Sequence, residues 1–133
     1  MSHAVVLIDD DETIVDFMAQ AMLEVGCEVR WRVARTGTEA MRFVQECVDG
    51  VPLPSLVLLD LNLPSFHGLE VLARLRETDL LTRFPVIVMS GSLNASDRHA
   101  SLAGGASLFL PKPDDFDGFL AHARLLKQML DGR

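Results

Sequence analysis

The chain has 133 residues, 49% hydrophobic and 23% charged, enough for one domain around a single sizeable core. Twelve Lys and Arg against nineteen Asp and Glu leave a net charge of -7 with no basic run, which argues against a nucleic-acid partner. No apolar stretch reaches membrane-span length and the N-terminus lacks a basic start and a cleavage site, so a cytoplasmic protein without membrane contact is expected.

In chain order, "AVVLID" (Ala4 to Asp9) is a β-branched run suited to a strand buried on both faces. Three aspartates follow without a break, Asp9, Asp10 and Asp11. Ile14, Met18, Ala21, Met22 and Val25 then share one helical face, and Gly26 ends that helix. "CEVRWRVA" alternates with Val29, Trp31 and Val33 on one side, as an edge strand does. A helix is expected from about Thr38 to Cys47, then the loop "DGVPLPS" and a second fully buried strand, "LVLLD", ending at Asp60.

The turn "NLPSFHG" leads into the helix "LEVLARLRE". "PVIVMS" (Pro85 to Ser90) is the fourth strand, "ASDRHASLAGG" a helix with few large apolar anchors, and "ASLFL" a fifth strand before "PKP". The last helix runs from Asp114 to Met129. Five strand–helix alternations predict a doubly wound α/β fold, a five-stranded parallel sheet of flavodoxin-like order 2-1-3-4-5 with helices on both faces. The expected organisation is one domain over residues 1–133 with no output domain attached. Cys27 and Cys47 match no metal or redox spacing and read as buried thiols.

In such a sheet ligands bind beyond the carboxyl ends of the strands, where strand order reverses. The strand-end residues are Asp9 and Asp10, Asp60, Ser90 and Lys112. Strands commonly end in polar turn residues, and that reading suffices for any one position. Complementary chemistry at all of these positions along one rim argues for a site. The order and context of the acid pair Asp9/Asp10, "LLDLNLPSFHG", "MSGS" and "PKP" resemble the receiver domain of two-component response regulators across essentially the whole chain. The "LLDLNLP" turn and the loop before it are most similar to stand-alone receivers associated with bacterial phytochrome kinases.

The resemblance implies a stand-alone response regulator that takes a phosphoryl group from a sensor histidine kinase (a phytochrome among the candidates) or from a phosphotransfer protein. Asp60 is the implied phosphoacceptor and Mg²⁺ the cofactor. Asp10 and Asp60 would bind the metal directly, Asp9 through water, and Asn62 through its main-chain carbonyl. Ser90, the Gly91 amide and Lys112 would hold the phosphoryl group, with Lys112 as a point charge. Pro113 is expected in a cis peptide, as in the family. Asp11 reads as a solvent-facing residue or a cap for the first helix. Such a domain catalyses only its own phosphorylation and dephosphorylation. Asn62 and Ser92 would flank the path of water to the phosphoryl group.

Output in the family couples Ser90 to an aromatic residue on the fifth strand. Phe109 holds that place, and having no hydroxyl it could act only through packing. His67, where the family often has aspartate, reads as a surface residue. Ala121, Leu125 and Met129 share the face of the last helix opposite its core stripe of Phe116, Phe119, Leu120, Ala123, Leu126 and Leu130. They form a candidate surface for a homodimer or a downstream protein partner.

Three rivals remain beside this reading. An aspartyl phosphatase of the haloacid-dehalogenase type needs an acid two residues after its nucleophile, where this chain has Asn62. A flavodoxin-like electron carrier needs a phosphate cradle after strand one, where "DDDET" would repel the phosphate. A phosphorylation-independent interaction module would share the fold and make no use of the acids.

Overall fold

A computed structural model describes residues 2–91 and 94–132; Ser92, one of the residues expected to flank the water path, lies outside them. The elements are β1 (His3–Ile8), α1 (Glu12–Glu24), β2 (Val29–Ala34), α2 (Gly37–Val48), β3 (Leu56–Leu59), β4 (Asn62–Leu63), β5 (Phe66–His67), α3 (Leu69–Glu77), a 3-10 turn (Leu80–Thr82), β6 (Val86–Ser90), α4 (Ala95–Ala103), β7 (Leu108–Pro111) and α5 (Phe116–Asp131).

Five strands form one parallel sheet in the order β2-β1-β3-β6-β7, which is the expected 2-1-3-4-5 when only its own strands are counted. β4 and β5 pair separately as a short antiparallel hairpin. No helix among the described residues is long and apolar enough to cross a membrane.

The period of two in the strands divides the interior into two cores. Val5 and Leu7 of β1, Leu56 and Leu58 of β3, and Ile87 and Met89 of β6 meet Met18 and Met22 of α1 and Phe119 and Leu126 of α5. Val6, Ile8, Val57, Leu59, Val86 and Val88 face the other way, onto Phe43 and Val44 of α2 and Leu72 and Leu75 of α3. Strands sandwiched this way must be apolar at every position, which is why they appear in the sequence as unbroken aliphatic runs. β2, at the sheet edge, keeps Arg30 and Arg32 exposed.

Local chemistry sets the helix ends. Asp11, exposed, caps α1 by accepting the Thr13 N–H at 2.9 Å, so both roles expected of it hold together. Gly26, at φ 76°, takes the left-handed conformation that ends that helix. Thr36 caps α2 by accepting the Glu39 N–H at 3.1 Å, and its hydroxyl donates to the Glu39 carboxylate. The expected Thr38 start is one residue late and the expected Cys47 end one residue early. α5 begins at Phe116, after Asp115 caps it through the Gly118 N–H, and runs two residues past Met129. α4 has one buried residue, Ser101, so it is as thinly anchored as its sequence suggested. Both cysteines are buried, free thiols, and burial pushes both pKa values up.

Candidate functional site

The backbone ladder brings the polar residues together just beyond the strand ends. The Asp9 N–H donates to the Ala34 carbonyl and the Asp60 N–H to the Ile8 carbonyl, so both acids continue their strands by one residue. The Lys112 N–H likewise donates to the Ser90 carbonyl at 2.9 Å. Asp9 and Asp60 therefore flank the β1/β3 boundary, where strand order reverses.

One carboxylate oxygen each from Asp9, Asp10 and Asp60 lies within 4.8 Å of the other two. Asp9 and Asp60 are 1% and 3% exposed, while Asp10 faces solvent. The Lys112 ammonium reaches in from the other side, 3.1 Å from Asp9 Oδ2 and 3.2 Å from Asp60 Oδ2. The remaining oxygens of the buried pair are held by main chain. Asp9 Oδ1 accepts the Asp11 N–H at 2.9 Å, and Asp60 Oδ1 accepts the Asn62 N–H at 3.1 Å.

Burial dominates the electrostatics of Asp9. It pushes the carboxyl above its ordinary pKa, against the Asp11 N–H and Lys112, which pull it down; Asp60 adds to the rise. For Lys112, burial alone would lower the pKa, but the charges of Asp9 and Asp60 outweigh it and hold the ammonium above the usual lysine value. Asp9 Oδ2, although fully buried, has no hydrogen-bond partner among the described residues; its 3.1 Å approach to Lys112 Nζ is an ion-pair contact. Three convergent carboxylate oxygens, one without a hydrogen bond, suit a hard divalent cation that prefers oxygen ligands.

Of the remaining expected residues, Ser90 is fully buried at the end of β6 and Gly91 follows it, exposed. Phe109, 9% exposed, packs in the α2/α3-side core from β7. Two expectations need correction. Every peptide bond among the described residues is trans, so Pro113 is not in a cis peptide. Met129, expected on the face away from the core, is half-buried and packs against the α1/α5-side core. Along the α5 stripe Ala121 is exposed, and Leu125, like Met129, is half-buried.

Two supporting contacts gave no signal in the sequence. His67 Nδ1 accepts the Leu69 N–H at 3.2 Å at the start of α3, where Gly68 offers no side chain to cap the helix. His122 Nε2 donates to the Pro111 carbonyl at 2.8 Å, tying α5 to the residue before Lys112. A lone histidine carries no spacing pattern, so neither was readable. A groove of about 680 Å³ lies elsewhere, lined by residues such as Val25, Leu120 and Lys127, and includes none of Asp9, Asp10 and Asp60.

The response regulator receiver domain model matches residues 5–124. The response regulator Rcp1 of Synechocystis sp. is 34% identical over 111 residues, covering 81% of this chain and 76% of Rcp1. The response regulator MprA of Mycobacterium ulcerans is 30% identical over 126 residues; that match covers 95% of this chain, which spans about half the length of MprA. Among solved structures, the phosphorylated cyanobacterial phytochrome response regulator RcpA superimposes with a TM-score of 0.85 at 25% identity, covering 98% of this chain and 94% of RcpA. The Mn²⁺-bound form of Rcp1 gives 0.82 at 27% identity, covering 95% and 92%.

Proposed function

The chain belongs to the response regulator receiver family of two-component signalling, and from that premise we propose that it is a phosphoacceptor whose Asp60 takes a phosphoryl group from a histidine kinase in a Mg²⁺-dependent reaction. One observation carries this reading. Asp60, nearly buried, shares a cluster of three carboxylates within 4.8 Å with Asp9 and Asp10, and Lys112 lies 3.2 Å from its Oδ2.

A carboxylate is a weak nucleophile toward a polyanionic donor, so catalysis rests on positioning and charge neutralisation. Asp9, Asp10, Asp60 and the Asn62 carbonyl are the residues that would hold Mg²⁺. Bound there, the ion supplies positive charge for the carboxylates and the incoming phosphoryl oxygens. The Asn62 N–H fixes one Asp60 oxygen and leaves the other to attack phosphorus as the donor's nitrogen–phosphorus bond breaks. The imidazole leaves with the electron pair of that bond and takes up a proton. Lys112 meets the transferred oxygens with its ammonium, and Ser90 and the Gly91 amide supply hydrogen bonds to them. Water later cleaves the acyl phosphate, so the chain turns over no substrate other than its own phosphoryl group.

The signal then leaves through a changed protein surface. Ser90 and Phe109 form the proposed switch, α4 the thinly held element it displaces, and the exposed part of the α5 stripe a surface for a homodimer or a downstream protein. The similarity to the cyanobacterial phytochrome response regulator RcpA supports a phytochrome-type kinase as donor.

Intact-mass measurement after incubation with acetyl phosphate and Mg²⁺ tests the chemistry. One added phosphoryl group, absent without Mg²⁺ and absent in Asp60→Asn, is the expected result. An unmodified wild-type chain would leave a phosphorylation-independent module, and steady phosphate release from varied monoesters would make it a phosphatase.

A further inference from the structure

The loop after Asp60 is held from outside the site, by a contact between an aromatic ring and a bare stretch of helix backbone. β4 and β5 have only two residues each, Asn62 paired with His67 and Leu63 with Phe66. A hairpin that short is not stable alone. Its tip includes Ser65 at φ 56°, a conformation an L-residue keeps only when its surroundings enforce it. Two side chains supply that enforcement. Leu63 is buried, and Phe66 packs against the α2/α3-side core.

Phe66 also lies directly on Gly37, the buried first residue of α2. A Cβ on Gly37 would fall 2.8 Å from Phe66 Cβ and would overlap the ring itself. Only glycine leaves room for this seat. At the hairpin's base, the Gly68 N–H donates to the Leu61 carbonyl at 2.6 Å. Between base and seat lies Asn62, whose N–H holds Asp60 Oδ1.

We infer that Phe66 and Gly37 are positioning residues for the acid cluster: the ring seated on the α2 backbone fixes the β4–β5 hairpin, and through Asn62 it fixes the orientation of the Asp60 carboxylate for metal binding and phosphoryl transfer. The inference rests on the phosphoacceptor reading above and adds two residues to it, neither of which touches the acids. Supporting partners of this kind commonly change metal affinity by about tenfold or more when removed.

The test is Mg²⁺ titration by calorimetry, with the rate of phosphorylation by acetyl phosphate at saturating Mg²⁺, on wild type, Phe66→Ala, Gly37→Ala and the double variant. Each single change should weaken Mg²⁺ binding about tenfold and slow phosphorylation. The double variant should lose less than the sum of the two single losses, because the ring that the added methyl group would overlap is gone and only the close Cβ–Cβ approach remains. If Gly37→Ala alone fails to fold, the same logic requires Phe66→Ala to restore part of the folded population, since the overlap with the ring is removed. Val44→Ala, a core truncation elsewhere in α2, should lower thermal stability and leave Mg²⁺ affinity unchanged.

Wild-type affinity in Phe66→Ala and Gly37→Ala, additive losses in the double variant, or an equal loss in Val44→Ala would each overturn the inference. A wild-type chain that takes up neither Mg²⁺ nor phosphoryl would instead overturn the proposed function beneath it.

Discussion

Divalent metal should stabilise this fold strongly, and the size of the effect follows from the acid cluster. Two unit charges 4.8 Å apart, the outer limit for the Asp9, Asp10 and Asp60 oxygens, repel by about 3.5 kcal/mol at an effective dielectric of about 20. Unfolding relieves that repulsion, and so does a bound cation. A ligand that binds only the folded state adds about 2.7 kcal/mol at one hundred times its Kd. With an unfolding entropy of roughly 2.1 cal/mol/K per residue, a chain of 133 residues gains about 10 °C in Tm from that energy. Differential scanning fluorimetry at neutral pH, with MgCl2 titrated against NaCl of equal ionic strength, measures it directly. Asp60→Asn removes one of the three charges; a tenfold affinity loss, about 1.4 kcal/mol, would halve the shift. A Tm that follows ionic strength alone, or variants at Asp10 and Asp60 that respond like wild type, would refute the claim that these acids share a cation.

Other changes separate the roles of neighbouring residues. Because burial raises the folded pKa of Asp9, the folded state binds the proton more tightly than the unfolded state does. Stability is then lost as pH rises from 3.8 through that folded value, and Asp9→Asn should be more stable than wild type at neutral pH in metal-free buffer, with the gap closing in acid. A less stable variant in neutral metal-free melts would reverse this sign. His67→Ala should cost about 0.5–1 kcal/mol in urea unfolding by removing the acceptor at the start of α3, and His67→Asp, which keeps an acceptor, should not. Leu125→Glu should abolish self-association of the phosphorylated form in sedimentation velocity; unchanged sedimentation would exclude the α5 stripe as a dimer surface.

Most of the fold was legible because its strands are buried on both faces. Burial forces runs such as "VVLI" and "LVLL", and nothing else in the chain reads that way. The site was legible for a related reason. Asp9, Asp60, Ser90 and Lys112 interrupt or closely follow those runs, and a parallel sheet places every such interruption on one edge. The β4–β5 hairpin was invisible, since two-residue strands have no periodicity and its turn uses Ser65 at positive φ where glycine would have given a signal. The Leu80–Thr82 turn is hidden in the same way behind Asp79 at φ 63°. Met129 lies nearer the core than expected because helical spacing gives direction around α5 but not how far a long, flexible side chain folds back against its neighbours. The cis expectation at Pro113 came from resemblance alone, and no feature of "PKP" demanded it.

The charge count at the site narrows what can complete it. Lys112 contacts the Asp9 and Asp60 oxygens at 3.1 and 3.2 Å, attractions of about 5 kcal/mol each at an effective dielectric of about 20. These are of the same order as the repulsions among the acids, and solvent screens the exposed Asp10 further. The fold therefore tolerates the cluster without metal, yet three carboxylates and one ammonium leave a formal charge of -2. A monovalent ion would cancel half of that, and a second fixed lysine would cancel half while filling the space a phosphoryl group needs. A divalent cation cancels all of it. Lysine suits the fourth position better than arginine would, because a compact ammonium on a flexible stem can shift from carboxylate to phosphoryl oxygens, whereas a guanidinium fork would clamp both acids together. The arrangement is thus balanced in part by Lys112 and has charge left for one dication, as the proposed phosphoacceptor role requires.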